Sequence, residues 1–130
     1  MSNEEWFTFF TVCARVLGPG AHRPSEDGSW CAWTTFRSLG EEIHYWSAGL
    51  PLRSELSAIG TNDGGTWGQP FLYRDLAHVI IPRQVYWERT TPQFTHGTKS
   101  QNLELLSKEL AAAHIVHRLT EVVLEVKLYA

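Results

Sequence analysis

One apolar segment with helical periodicity stands near each end of the chain, and the stretches between and after them alternate as β-strands do. The first helix follows Ser2 and Glu5, which have the spacing of a capping box, and Gly18 is expected to end it. Thr98 and Gln101 have the same capping-box spacing and are predicted to introduce the second helix. The residues of this second helix expected to face the core are Leu103, Leu106 and Leu110.

The predicted strands are rich in aromatic and β-branched residues, as strands generally are. Residues 29–37 and 42–47 are predicted to pair as a hairpin, and residues 78–88 to form a further strand. Pro82 lies within that strand and cannot donate a ladder hydrogen bond, so the strand must be an edge or be bulged there. Residues 116–129 are extended and alternate. The residues expected to share the buried face of this last segment are Val122, Leu124, Val126 and Leu128.

The order of these elements predicts an α+β two-layer sandwich, with a mainly antiparallel sheet and two main helices on one face. The chain would end in a strand–helix–strand unit, and the two strands of this unit would run parallel if both lie in the same sheet. The length of 130 residues fits a single globular domain, residues 1–130. A hydrophobic content of 43% against 19% charged residues indicates a chain that folds around a core.

Charge and hydropathy exclude or disfavour several classes of protein. The formal net charge of −3 disfavours a nucleic-acid-binding protein that depends on a broad basic surface. No apolar run reaches the roughly 18 residues of a membrane-spanning helix, and two glutamates precede the first apolar run where a secretory signal carries positive charge. Cys13 and Cys31 lie among apolar neighbours, which favours two buried free thiols; a bridge between them is the alternative that the sequence leaves open. We therefore expect a cytoplasmic protein that does not associate with membranes.

Signals for catalysis, cofactors and metals are weak. The sequence contains no nucleophile elbow, zinc-protease helix, Walker loop or dinucleotide-binding glycine pattern, and no cofactor is predicted. His114 and His117, followed by Glu121, are the nearest approach to a metal site. Their spacing crosses a predicted helix end, so one regular element cannot hold all three on one face. A structural role for these side chains is the favoured interpretation, and an enzyme is the less favoured class.

Aromatic residues are the more informative signal, because the chain contains six tryptophans. Trp67 lies in residues 60–70, a glycine-rich segment that is not expected to hold a regular element. Tryptophan, tyrosine and arginine dominate the energetics of protein interfaces. The sequence therefore predicts a partner-binding patch around this segment, with two acidic residues from an earlier loop. The residues of the predicted patch are Asp63, Trp67, Phe71, Tyr73, Arg74, Glu26 and Asp27.

Two classes of function are consistent with these features. The first is a small protein-binding module that acts by steric occlusion of a partner, for example a bacterial toxin-neutralising (immunity) protein facing a basic surface. The second is a small-ligand-binding or enzyme domain, in which residues 60–70 form a lid over an aromatic pocket. The residues expected to line that pocket are Trp46, Tyr73, His78 and Trp87. The partner, any ligand and the oligomeric state stay open at the level of sequence.

Overall fold

The structure is a computed structural model that describes residues 1–62 and 65–130. The helices are α1 (Asn3–Leu17), α2 (Phe36–Gly40) and α3 (Leu103–Ala112). The strands are β1 (Cys31–Thr35), β2 (Trp46–Ala48), β3 (Gly60–Thr61), β4 (Phe71–Leu72), β5 (Leu76–Pro82), β6 (Gln84–Arg89), β7 (Thr95–Ser100), β8 (Arg118–Leu119) and β9 (Val123–Lys127). Within these described ranges, no helix has both the length and the apolar character needed to cross a membrane.

A five-stranded antiparallel sheet in the order β2-β1-β5-β9-β8 forms one layer, and α1 and α3 pack on one of its faces. This arrangement confirms the predicted α+β sandwich. The predicted strand–helix–strand unit joined residues 78–88 to residues 116–129 through the second helix. The strands that these residues form in the large sheet, β5 and β9, are neighbours, but they pair antiparallel. The parallel orientation predicted for strands in one sheet is therefore wrong.

Helix α1 forms as its sequence predicts. Ser2 Oγ accepts a hydrogen bond from the Glu5 N–H at 3.0 Å, and the Glu5 carboxylate accepts one from the Ser2 N–H at 3.0 Å. Gly18 ends the helix with a φ of +79°, a conformation that glycine adopts without a Cβ penalty. The buried residues of the helix are Trp6, Phe9, Phe10, Val12 and Cys13. Local signals were sufficient here because capping and periodicity both lie within one segment.

Helix α3 buries the predicted leucines, but the predicted cap is wrong. The residue that caps α3 is Asn102, whose side-chain oxygen accepts from the Leu105 N–H at 3.1 Å. Thr98 lies in the middle of β7 instead. Gln101 is 4% exposed, and its amide binds the backbone of Trp30 at both the N–H and the carbonyl. The side chain that the local spacing assigned to the helix start therefore binds the backbone of Trp30, which is distant in sequence.

Residues 78–88 form two strands in two sheets, not the one strand predicted. Strand β5 occupies the centre of the large sheet and ends at Pro82, and β6 begins two residues later in a separate hairpin with β7. Arg83 stands at the division. Its guanidinium forms an ion pair with Glu104 at 2.6 Å, and it donates hydrogen bonds to the carbonyls of Glu121 and Thr120. Pro82 has no backbone N–H to donate. Because it is the last residue of β5, neither sheet loses a ladder hydrogen bond.

The last strand confirms the predicted alternation for part of its length. Leu124 and Val126 are buried in the core, and Leu128 packs partly against it. Val122 is 68% exposed, so its predicted burial is wrong. It lies in the turn between β8 and β9, where the Thr120 hydroxyl accepts from the backbone N–H of Val122. The turn removes this residue from the alternation of β9.

The core lies between the two helices and the inner face of the large sheet. Cys13 and Cys31 are both fully buried within it and are free thiols, as predicted. Burial raises the pKa of each thiol above its ordinary value, because a thiolate is poorly solvated in an apolar interior. Both side chains are therefore held as uncharged hydrophobic groups.

Candidate functional site

A groove of about 720 Å³ lies beside the β1–β2 end of the large sheet. Its walls come from α2, from β2 and from the stretch that contains β4 and the 3₁₀ turn after it. The residues that line it are Thr35, Arg37, Ser38, Glu41, Glu42, Trp46, Gln69, Pro70, Phe71, Leu72 and Asp75. We call it the aromatic–acidic groove. Its volume falls within the roughly 300–1,000 Å³ typical of binding clefts.

Helix α2 shapes one wall of the groove, and short polar side chains position it. Thr35 caps the helix, with its hydroxyl accepting from the Ser38 N–H at 3.1 Å. The Ser38 hydroxyl accepts from the His44 N–H at 2.8 Å and donates to the His44 carbonyl at 3.1 Å. The Thr34 hydroxyl donates to the same carbonyl at 2.5 Å. Because these bonds close the chain after α2 onto its start, the acidic residues between them are held at the rim of the groove.

Trp46 supplies the principal aromatic surface of the groove. Its side chain is partly exposed, and its ring packs edge-to-face against His44 at 4.7 Å and Phe71 at 5.2 Å between ring centroids. Phe71 in turn contacts the core tryptophans, at 5.5 Å from Trp33 and 5.6 Å from Trp67. The exposed tryptophan therefore rests on a continuous aromatic cluster that reaches into the interior. Because these contacts fix the orientation of the Trp46 ring, the side chain loses less conformational entropy when a partner binds.

The charges around the groove are predominantly negative. Glu41, Glu42 and Asp75 line it together with one cation, Arg37. The Arg37 guanidinium is already paired with Glu41, at 3.2 Å between Nε and Oε1. Within residues 1–62 and 65–130, neither Glu42 nor Asp75 belongs to an ion pair. The groove thus presents an aromatic ring and two uncompensated carboxylates to an incoming group.

The structure corrects the predicted exposure of the aromatic residues of the patch. Trp67 is 6% exposed and stacks on Trp33 at 3.7 Å between ring centroids. Its indole N–H donates to the Gly49 carbonyl at 3.1 Å. Tyr73 is fully buried, and Phe71, which lines the groove, is 8% exposed. The core between α1 and the sheet is large enough to take these rings, and burying them removes apolar area from water.

The polar residues of the predicted patch do not form one surface. Glu26 and Asp27 are exposed beside the β6–β7 hairpin, where Glu26 lies 3.9 Å from the Arg89 guanidinium. Arg74 is exposed in the 3₁₀ turn next to the groove, although it does not line it. Asp63 lies outside the described residues. Binding of a partner by these residues stays a prediction. Of the predicted patch residues that the structure describes, only Phe71 lines the groove.

The flanks of residues 60–70 are more regular than predicted. Gly60 and Thr61 form β3, which pairs antiparallel with β4, and the Thr66 hydroxyl donates to the Glu55 carboxylate at 2.7 Å. Together with the buried Trp67, these contacts fasten the described part of the segment to the body of the protein.

The aromatic residues that the lid hypothesis placed in one pocket lie in different parts of the structure. Trp46 lines the groove, whereas Trp87 covers Gly97 on the β6–β7 hairpin.

A hydrogen-bonded network of titratable residues occupies the sheet face opposite the helices. His78 is 8% exposed, and each of its ring nitrogens forms a hydrogen bond. Nδ1 lies 2.7 Å from the Tyr45 hydroxyl, and Nε2 lies 3.0 Å from the Glu125 carboxylate. The Tyr45 hydroxyl also lies 3.2 Å from that of Tyr129. Burial, together with Tyr129 and the Glu125 charge, raises the pKa of Tyr45 to about 12. Tyr45 therefore stays protonated at neutral pH and provides a hydrogen-bond donor, not a phenolate nucleophile.

The weak metal candidate is not assembled. His117 uses both ring nitrogens locally, at 2.7 Å from the Ser107 hydroxyl and 2.8 Å from the Ile115 carbonyl. His114 is exposed with a φ of +60° just after α3, and Glu121 is exposed in the β8–β9 turn. Among the residues that the structure describes, no group of three or more metal-ligating side chains converges.

Sequence reasoning missed the acidic side of the groove. Glu41 falls in the predicted connection between two strands and Glu42 at the start of the predicted strand 42–47, and Asp75 was not associated with them. The one usable signal was the cap that Thr35 offers to a short helix, since that helix turns the glutamates toward β2. Trp46 was assigned to a pocket, but to one with different neighbours.

Comparison with protein-family models, curated proteins and solved structures finds no match to this chain.

Proposed function

We propose that this protein is a binding module that acts by steric occlusion of another protein, and that the aromatic–acidic groove is its contact surface. The observation that carries the proposal is the combination of a partly exposed, well-supported Trp46 with the unpaired carboxylates of Glu42 and Asp75. Tryptophan in a supported position is the residue type that most often dominates an interface. The groove is built on regular elements and capped turns, so little ordering is needed before a partner binds.

The charge of the groove favours a partner with a basic surface. Negative potential at the rim would accelerate association with such a partner, and salt would weaken the effect over a Debye length of about 8 Å at physiological ionic strength. A like-charged partner would be rejected by the same carboxylates. A toxin-neutralising (immunity) protein of the bacterial cytoplasm is the particular form that we propose. Its support is the physical type of the chain: a small, mildly acidic domain with a preformed aromatic and acidic contact surface.

The proposal is tested by charge reversal inside and outside the groove. The double variant Glu42→Lys/Asp75→Lys is compared with Glu121→Lys, which changes an exposed carboxylate at the opposite edge of the large sheet. Each protein is immobilised and used to capture partners from lysate of the source cells at 50 mM and 500 mM salt. We expect the unchanged protein and Glu121→Lys to retain the same basic protein at low salt, and the double variant to lose it.

Two results would contradict the proposal. The first is retention of the same partner by the Glu42→Lys/Asp75→Lys variant at an unchanged level, because the groove would then not be the contact surface. The second is a captured partner whose own activity is the same with and without this protein bound. Steric occlusion of its working surface would then not occur. Thermal melting of each variant, measured beforehand, shows that the reversed charges have not unfolded the protein.

A further inference from the structure

We infer that the group recognised in the aromatic–acidic groove is an arginine side chain, presented by an extended segment of the partner. This inference rests on the proposed function and specifies the chemistry of the same site. A guanidinium is planar, stacks on an aromatic ring and donates to carboxylates in a forked arrangement. The groove offers both kinds of partner, since Trp46, Glu42 and Asp75 all line it.

Charge complementarity decides between a cationic and an apolar occupant. Arg37 is the one cation lining the groove within the described residues, and it is committed to Glu41 at 3.2 Å. An apolar side chain placed over Trp46 would cover the carboxylates of Glu42 and Asp75 without offering them a donor. Burying an unpaired charge is costly, so such an occupant would bind poorly. A guanidinium supplies five donors and compensates both carboxylates.

The size of the groove indicates that the arginine arrives with neighbouring residues. A volume of about 720 Å³ is more than one side chain fills, and the apolar wall continues past Trp46 along Pro70, Phe71 and Leu72. An extended segment would place its arginine against Trp46 and rest its backbone and adjacent side chains on this wall. Gln69 also lines the groove, and a side-chain amide provides donors and an acceptor for such a backbone.

The test uses three short peptides that differ at one central residue, with glycine and serine on each side: arginine, lysine or citrulline. Each peptide is titrated into the full-length protein, and binding is followed by two-dimensional NMR. The Trp46 indole N–H signal is assigned by its loss in Trp46→Phe. We expect the arginine peptide to shift this signal and to bind most tightly of the three. The lysine peptide should bind more weakly than the arginine peptide. The citrulline peptide keeps the shape of arginine without its charge, and it should bind at least tenfold more weakly than the arginine peptide.

Variants of the groove sharpen the assignment. Trp46→Leu keeps apolar volume but removes the ring, and we expect it to weaken the arginine peptide by about three- to tenfold. Asp75→Asn and Glu42→Gln keep shape but remove charge, and each should weaken binding by about threefold. Glu121→Gln, at the far edge of the sheet, should leave the affinity unchanged. Should Trp46→Leu fail to fold, the two isosteric variants still decide the outcome.

Equal binding of the citrulline and arginine peptides, or shifts confined to residues away from Trp46, would overturn the inference. These outcomes are separable from failure of the proposed function. If no arginine peptide binds but partner capture still depends on Glu42 and Asp75, the arginine inference fails alone. If the arginine peptide binds at Trp46 but capture of the partner ignores the groove, the proposed function fails while the arginine site stands.

Discussion

The glycine-rich residues 60–70 and the β6–β7 hairpin carry aromatic residues with opposite fates. Trp67, in the glycine-rich segment, is 6% exposed, whereas Tyr86 and Phe94, in the hairpin, are 52% and 58% exposed. Local composition would suggest the reverse, because glycine, asparagine and aspartate mark surface loops, while Val85 to Trp87 resemble a sheet strand. The comparison shows that local composition does not determine which aromatic ring is buried.

Attachment to the rest of the protein accounts for the difference. The glycine-rich segment is bounded by the β3–β4 pair, and its tryptophan contacts Trp33 and Gly49, which are distant in sequence. The hairpin pairs mainly with itself, and it leaves the large sheet where Arg83 turns the chain. On one face of the hairpin the side chains of Gln84, Tyr86 and Glu88 are exposed. Long-range contacts, which the local pattern does not encode, bury one region and leave the other exposed.

The strongest way to break this comparison is to truncate one ring from each region. Trp67→Ala should lower the free energy of unfolding by about 3–5 kcal/mol, because it removes a buried ring from a packed aromatic cluster. Tyr86→Ala, the matched change on the hairpin, should stay within about 0.5 kcal/mol. Urea unfolding of both variants measures the two effects. Similar losses for the two variants would mean that the regions do not differ in attachment.

A glycine contact beneath Trp67 gives the next largest effect. Gly49 approaches Gly20 so closely that a Cβ on Gly49 would lie 2.2 Å from the Gly20 Cα. Gly49→Ala must therefore push two backbones apart, and we expect a loss of about 2–3 kcal/mol in the free energy of unfolding. Gly40→Ala is the control, since a Cβ there meets no atom within 4 Å. A Gly49→Ala protein as stable as Gly40→Ala would show that this backbone approach does not constrain the fold.

The base of the hairpin provides a smaller effect. Gln101→Leu leaves the N–H and carbonyl of Trp30 and the carbonyl of Pro82 without their side-chain partner. Because these backbone groups would lose a hydrogen-bond partner, we expect the free energy of unfolding to fall by about 2 kcal/mol in this variant. Gln84→Leu, which changes an exposed glutamine of β6 whose side chain donates to the Ser100 hydroxyl, should cost much less. Equal urea midpoints for the two variants would contradict the assigned role of Gln101.

The smallest effect appears only in alkali. Burial raises the pKa of Tyr73 to about 12, above the ordinary value near 10. A raised pKa means that the folded state holds the proton more tightly, so this contribution is complete below pH 10 and is lost as the pH rises toward 12. Urea midpoints measured at pH 9, 10 and 11 should therefore fall less steeply for Tyr73→Phe than for the unchanged protein. Parallel curves would show that this hydroxyl does not contribute to the alkaline loss.

The groove was less predictable than the fold because it is assembled from separate segments. Trp46 comes from β2, Glu42 from the turn after α2, and Asp75 from a 3₁₀ turn some thirty residues later. No spacing rule connects residues at such separations. The predicted contact residues were grouped instead by proximity to Trp67 in the sequence or, for Glu26 and Asp27, by their charge. Folding placed Tyr73 in the core and Glu26 beside the hairpin.

The sequence by itself determined those features whose causes are local. The capping box and apolar stripe of α1, the leucine face of α3 and the alternation of β9 each arise from hydrogen bonds and periodicities within one segment. Tertiary structure alone decided which indole rings are buried, which side chain caps α3 and which carboxylates share a groove. These outcomes depend on surfaces supplied by distant parts of the chain, and burial free energy is defined only once those surfaces meet.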